Sequence, residues 1–276
     1  MHKTYAYFQY DKALLHYSVT GKGKKILLAF HGFGQTGDDF RELEEVISDE
    51  FTIYSFDLFY HGKSFWHERE IPLSKAFWKE MVLKFLEEKS IDSFSLLGFS
   101  MGGKFVLATL ESFPDRTETV YLISPDGINL NFWYKLATSY SFTRKLLRSF
   151  VAGPAYYNFI VNTVSKLKLV NKGVLKFTES QMRTRAQRRR VYYSWVIFRE
   201  LRFDQKKIAD LINSHNIEFK LYLGKHDKMI TYKRVKSFLK MLRHYDLKIL
   251  DTGHTRILNW VTQLFKQKLE IRNSKF

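Results

Sequence analysis

The stretch Ser95-Leu96-Leu97-Gly98-Phe99-Ser100-Met101-Gly102-Gly103 constrains the fold of this chain more than any other. Its apolar start reads as a buried strand, Ser100 stands at the tip of a tight turn, and Gly103 to Leu110 leaves the turn as a buried helix. Gly98 and Gly102 lie two residues either side of Ser100. In so sharp a strand-to-helix turn, the backbone two before the tip approaches the backbone two after it. Residues without a Cβ fit there with least strain. The same geometry pushes the Ser100 hydroxyl outward and leaves the Met101 N–H, at the head of the helix, able to meet a developing anion.

Around this stretch strands and helices alternate. Tyr5 to Tyr10 and Leu14 to Val19 read as strands joined at Asp11-Lys12. Lys25 to Phe30 is a continuous apolar run, as a strand buried on both faces requires, and ends in His31-Gly32-Phe33-Gly34. A helix is expected near Asp38 to Ile47, a strand at Phe51 to Phe56 ending at Asp57, and a helix over Ser74 to Glu88 with Ser74 as its N-cap. Val120 to Ser124 is another short strand, closed by Pro125-Asp126-Gly127. Strands at Phe219 to Gly224 and Leu247 to Leu250 alternate with helices near Tyr232 to Leu242 and Arg256 to Glu270. This rhythm predicts a doubly wound, mostly parallel sheet with helices on both faces.

The alternation breaks between about 128 and 205, where the chain turns helical, aromatic and basic, with Gly153-Pro154 and Asn171-Lys172-Gly173 as interruptions. The formal charge is +17, and Ile128 to Phe203 carries 15 Lys and Arg against two acids, so the excess is a local property. The cations include Lys135, Arg144, Lys145, Arg148, Lys166, Lys168, Lys172, Lys176, Arg183, Arg185, Arg188, Arg189 and Arg190; Phe132, Trp133, Tyr134, Tyr140, Phe142, Phe150, Tyr156, Tyr157 and Phe159 stand among them. The absence of cysteine excludes disulfides, thiolate metal sites and a cysteine nucleophile. No His and carboxylate spacing suggests a metal, and no cofactor is expected. The first residues lack the apolar core of a signal peptide and no apolar run reaches membrane-spanning length, so a soluble, cytoplasmic protein is expected.

With these motifs in this order, the chain resembles the α/β-hydrolase superfamily over nearly its whole length. Gly98-Phe99-Ser100-Met101-Gly102 resembles the nucleophile elbow, and His31-Gly32-Phe33-Gly34 the oxyanion loop. Asp57-Leu58-Phe59-Tyr60-His61-Gly62-Lys63-Ser64 resembles the family's turn after the fourth strand, with Phe59 and Tyr60 where Pro and Gly are common. Gly224 to Ile230 resembles the loop presenting the catalytic acid, and Asp251-Thr252-Gly253-His254 the loop presenting the catalytic histidine. The resemblance implies one α/β-hydrolase domain over 1–276 with a helical cap inserted at 128–205, after the sixth strand. It implies Ser100 as nucleophile, His254 as base and Asp227 as its carboxylate partner, in the chain order Ser, Asp, His. The Phe33 and Met101 N–H groups would form the oxyanion hole, with His31, Gly32, Gly98 and Gly102 in support. Asp126, just after the sixth strand, is the rival for the acid.

A serine at the elbow points to acyl chemistry on an ester, thioester or related carbonyl substrate rather than to epoxide or halide displacement. Two other functions fit the same residues: a carbon–carbon lyase or hydrolase acting on an anionic substrate, and a non-catalytic protein that binds an acidic lipid or ligand. The cations form a solvated helix face, bind an acidic or lipid-like substrate, or rest on an anionic membrane. Nucleic acid is not expected, because charge supports it and no recognition motif does.

Overall fold

Lys25–Phe30 forms strand β3, and its alternating side chains divide the core in two. Leu27 and Ala29 pack with Leu43 and Ile47 of helix α1 (Arg41–Ile47) and with Ile257 and Val261 of helix α8 (Ile257–Asn273). Leu28 and Phe30 face Trp78, Met81, Val82 and Phe85 of helix α2 (Lys75–Glu88). A strand apolar on both sides is thus sandwiched between helical layers, as its unbroken hydrophobic run requires. The computed structural model describes residues 2–68, 70–129, 138–152 and 181–273.

The remaining strands are β1 (Lys3–Tyr10), β2 (Ala13–Thr20), β4 (Phe51–Phe56), β5 (Phe65–Trp66), β6 (Phe94–Phe99), β7 (Thr117–Ile123), β8 (Glu218–Gly224) and β9 (Asp246–Leu250). Their order in the sheet is β1-β2-β4-β3-β6-β7-β8-β9, with β5 pairing β2. All pairs from β4 to β9 are parallel; β2 runs antiparallel to β1, β4 and β5. Strand order reverses between β3 and β6. At such a switch point the loops leaving neighbouring strands part and open a crevice beyond their carboxyl ends. The loops that open at His31 and Ser100 leave these two strands.

The other helices are α3 (Gly102–Ser112), α4 (Ser141–Ala152), α5 (Arg185–Ile197), α6 (Gln205–Ser214) and α7 (Tyr232–Leu239). Ser74 caps α2 by accepting the Phe77 N–H at 3.1 Å. Glu111, in the last turn of α3, binds Lys75 at 2.7 Å and Lys207 of α6 at 2.9 Å. Burial pushes the Glu111 carboxyl up, but its two lysine partners hold it below the ordinary range. The structure differs from the sequence expectation at two ends. Gly37–Phe40 is a 3₁₀ turn before α1, and the two-residue strand β5 is added, so the basic insertion follows the seventh strand in chain order.

Backbone contacts divide the chain into two units: Met1–His67, Ser74–Asn129 and Leu201–Phe276 in the first, Glu68–Leu73 and Leu130–Glu200 in the second. The second unit therefore recruits 68–73 from outside the basic insertion. The Leu73 N–H donates to Ile197 O at 2.9 Å, and the Tyr192 hydroxyl donates to Glu70 at 3.0 Å. Several of its cations serve the unit itself. Arg188 is buried and donates to the Met182 and Arg183 carbonyls; Arg144 donates to those of Thr138 and Ser139. Arg183, Arg185 and Arg189 are exposed. Lys135, Lys166, Lys168, Lys172 and Lys176, the aromatics Phe132, Trp133, Tyr134, Tyr156, Tyr157 and Phe159, the Phe150 side chain, and the expected breaks at 153–154 and 171–173 lie outside the described residues. Among the described residues no helix is long and apolar enough to cross a membrane.

Candidate active site

Ser100 follows β6 directly and takes φ +50°, a left-handed conformation that strains a non-glycine residue by about 1–3 kcal/mol. Three backbone bonds hold it there. Its N–H donates to Ile123 O at 3.0 Å, and its carbonyl accepts from Gly103 at 2.9 Å and Asp126 at 2.7 Å. The flanking glycines are required by contact. A Cβ on Gly102 would lie 1.9 Å from Phe30 O, and one on Gly98 would lie 2.6 Å from Val106 Cγ2 and 3.0 Å from the Gly102 backbone. Among the described residues the Met101 N–H makes no hydrogen bond.

The side chain at this tip meets His254. The Ser100 Oγ and His254 Nε2 are 2.9 Å apart, and His254 Nδ1 lies 2.6 Å from Asp227 Oδ2. A carboxylate can only accept, so Nδ1 carries the proton and Nε2 accepts from the Ser100 hydroxyl. Three residues separated by 127 and 27 positions are joined by the parallel pairing of β6, β7, β8 and β9, which puts their strand ends on one edge. The Phe99 ring lies against the imidazole at 5.4 Å between centroids.

Asp227 is buried, and its second oxygen accepts the N–H groups of Met229 at 2.7 Å and Ile230 at 2.9 Å. Burial pushes its carboxyl up, but the His254 hydrogen bond and charge and the two N–H donors hold it below the usual carboxylate range. It is thus an ionised, fixed acceptor. Asp126 is differently engaged: its carboxylate takes the Gly127 N–H at 2.8 Å and lies 3.2 Å from the buried Lys104 ammonium. His254 Nδ1 therefore meets Asp227, and the rival carboxylate is tied to α3.

The loop after β3 is braced from both sides. Buried His31 donates from Nδ1 to Gly32 O at 2.7 Å and accepts the Leu58 N–H at Nε2, 2.9 Å away. Gln35 takes the Gly32 N–H on its side-chain oxygen at 3.0 Å and returns its own N–H to Gly32 O at 3.3 Å. Phe33 sits between these clamps, its ring edge-on to His61 at 5.1 Å. His61 itself donates to Phe59 O at 3.1 Å, and exposed His226 pairs with Asp251 at 2.9 Å.

Sequence reasoning missed two supports. Gln35 was one. The other is the buried pair of His16 Nδ1 and Asp57 Oδ2, 2.8 Å apart. Asp57 also accepts the Gly37 and Lys63 N–H groups, each at 2.9 Å, and so knits the turn after β4 to the 3₁₀ turn before α1. Only the antiparallel register of β2 on β4 brings His16 to it. In this turn Tyr60 takes φ +64° at the position where glycine is common in the family, and Gly62 takes φ +51°. Among the described residues no cluster of three His, Cys, Asp or Glu could hold a metal ion.

Comparison with known proteins agrees with this architecture. The sequence model of the family described as alpha/beta hydrolase fold matches residues 25–259. The chain belongs to the α/β-hydrolase fold family. Among curated proteins it is similar to the dihydrolipoyllysine-residue acetyltransferase component of the acetoin cleaving system of Cupriavidus necator, 29% identical over 123 residues, 45% of this chain and 32% of that protein. The chain thus spans about a third of the length of that relative. Among solved structures it is similar to a thermophilic esterase from Thermogutta terrifontis (TM-score 0.67, 17% identity, covering 94% of this chain and 93% of that one). It is also similar to naproxen esterase from Bacillus subtilis (TM-score 0.64, 12% identity, covering 98% and 91%). At these identities the structural likenesses speak for the fold.

Proposed function

We propose that the protein is a serine hydrolase that cleaves a carboxylic ester, thioester or related acyl substrate through an acyl-enzyme. The observation that carries this reading is the unbroken hydrogen-bonded line from Asp227 through His254 to Ser100. In this reading the Ser100 Oγ attacks the substrate carbonyl carbon while His254 Nε2 takes its proton. The carbonyl oxygen becomes an oxyanion, received by the Met101 and Phe33 N–H groups. Collapse expels the alkoxide or thiolate, which takes the proton back from His254. Water, deprotonated by the same nitrogen, then attacks the acyl carbon and frees the carboxylic acid and Ser100. Asp227 keeps the tautomer and balances the transient imidazolium.

Labelling with a fluorophosphonate tests this directly, since only an activated serine is phosphonylated. Wild type should label, and Ser100→Ala and His254→Ala should not. A folded wild type that fails to label would favour the non-catalytic or lyase alternative.

A further inference from the structure

Helix α4 carries an exposed face of unusual composition. Phe142 and Leu146 are 74% and 50% exposed, and Tyr140, just before the helix, is 64% exposed. At helical spacing Phe142, Leu146 and Ser149 share one side, and Lys145 and Arg148 flank it. Both cations point to solvent; Arg148 makes a surface contact with Glu70 at 3.3 Å with 69% of its side chain still exposed. Thr143 and Leu147 turn inward by comparison. Helix α4 packs on α5 within the same unit; Arg183 just before α5, and Arg185 and Arg189 within it, are also exposed. This segment of the chain holds most of the protein's positive excess.

We propose that the Phe142–Ser149 face of α4, with Tyr140 just before the helix, docks on an anionic lipid bilayer surface, lying in the interface with Phe142 and Leu146 inserted. Two features of this face, its mixed pattern and the length of its basic side chains, select this partner. Large apolar side chains and cations stand side by side on one exposed helix face. That pattern matches a plane whose headgroups are negative and whose next few ångströms are hydrocarbon. Long Lys and Arg stems can lie along the apolar layer while their charges stay with the headgroups, so the two chemistries act together. A nucleic acid would engage the cations and leave exposed Phe142 and Leu146 without a role, since its backbone attraction is purely electrostatic. The helix is short and lies on the surface rather than spanning it.

The test is co-sedimentation of the full chain with phosphatidylcholine vesicles and with vesicles of phosphatidylcholine and phosphatidylglycerol. Binding should require the anionic lipid and weaken as salt rises. Phe142→Ser with Leu146→Ser should lower the bound-to-free ratio by about tenfold or more. Lys145→Gln with Arg148→Gln should lower it by about tenfold and flatten the salt dependence. Phe142→Trp, which keeps an interfacial aromatic, should bind at least as well as wild type. These positions are solvent-exposed, so thermal midpoints should stay close to wild type and would expose a variant that failed to fold. Failure to bind anionic vesicles would overturn the proposal. So would binding indifferent to Phe142→Ser with Leu146→Ser, or equal binding to duplex DNA through the cations alone. Sedimentation reads no chemistry at Ser100, so this outcome is separable from the proposed reaction.

Discussion

Of the two hydrogen bonds that the His254 ring makes along the line to Ser100, the one to Asp227 is the shorter, 2.6 Å against 2.9 Å to Ser100. The carboxylate end is buried and fully used, with both oxygens committed. Asp227→Asn would present an amide that can donate to His254 and so favour the wrong tautomer. Steady-state hydrolysis of an activated ester should fall by about 10⁴ in kcat. Asp126→Asn should leave it near wild type, because that carboxylate faces Lys104; the reverse result would reassign the acid. Asp227 also has a signature in stability. A carboxyl held below its unfolded value contributes stability that is complete above about pH 4 and fades as pH falls through the folded value. Urea unfolding should show wild type more stable than Asp227→Asn at neutral pH, with the gap closing on strong acidification. A gap that persists unchanged at low pH would mean the carboxylate charge is not its source.

At the scale of the element, the β6–α3 elbow is where local sequence and tertiary contact agree most closely. Gly98 and Gly102 could be singled out from spacing alone because an elbow brings its own backbone together, a purely local demand. The structure adds that Gly102 also lies against Phe30 of the neighbouring strand. Gly102→Ala should therefore destabilise by about 3 kcal/mol or more, or prevent folding, since the obstacle is backbone and cannot rotate away. Gly253, next to His254, has nothing within 4 Å of an added Cβ and an ordinary φ of −94°. Gly253→Ala should stay within about 0.5 kcal/mol of wild type by chemical denaturation. The loop after β3 shows the opposite case. Its glycines were visible in the sequence, but Gln35 was not, because a glutamine three residues beyond a glycine is unremarkable until the turn closes. His16 was invisible for a similar reason: its partner lies 41 residues away and is reached only through strand pairing.

For the molecule as a whole, charge is distributed by unit. The +17 excess is gathered mainly in residues 128–203, while the remainder of the chain is close to balance. Like charges so concentrated repel one another, and added salt screens that repulsion over about 8–10 Å near physiological strength. The thermal midpoint should rise as sodium chloride is raised from low to physiological concentration. A fall would show that ion pairs such as Lys3–Glu44 and Lys75–Glu111 outweigh the repulsion. The order of strands, turns and helices, the elbow at Ser100 and the loops bearing Asp227 and His254 were all legible in the linear chain. Periodicity, glycine spacing and turn residues act over a few neighbours, and they specify backbone conformation and burial without reference to anything distant. Which side chains meet is a different matter. That His254 faces Asp227 and not Asp126, that Asp57 holds His16, that Arg188 is buried while Arg189 is exposed, and that Phe142 stays in solvent all follow from strand order, register and helix packing. Hydrogen bonds form or fail over tenths of an ångström, and only the folded sheet sets distances between residues so far apart in the chain.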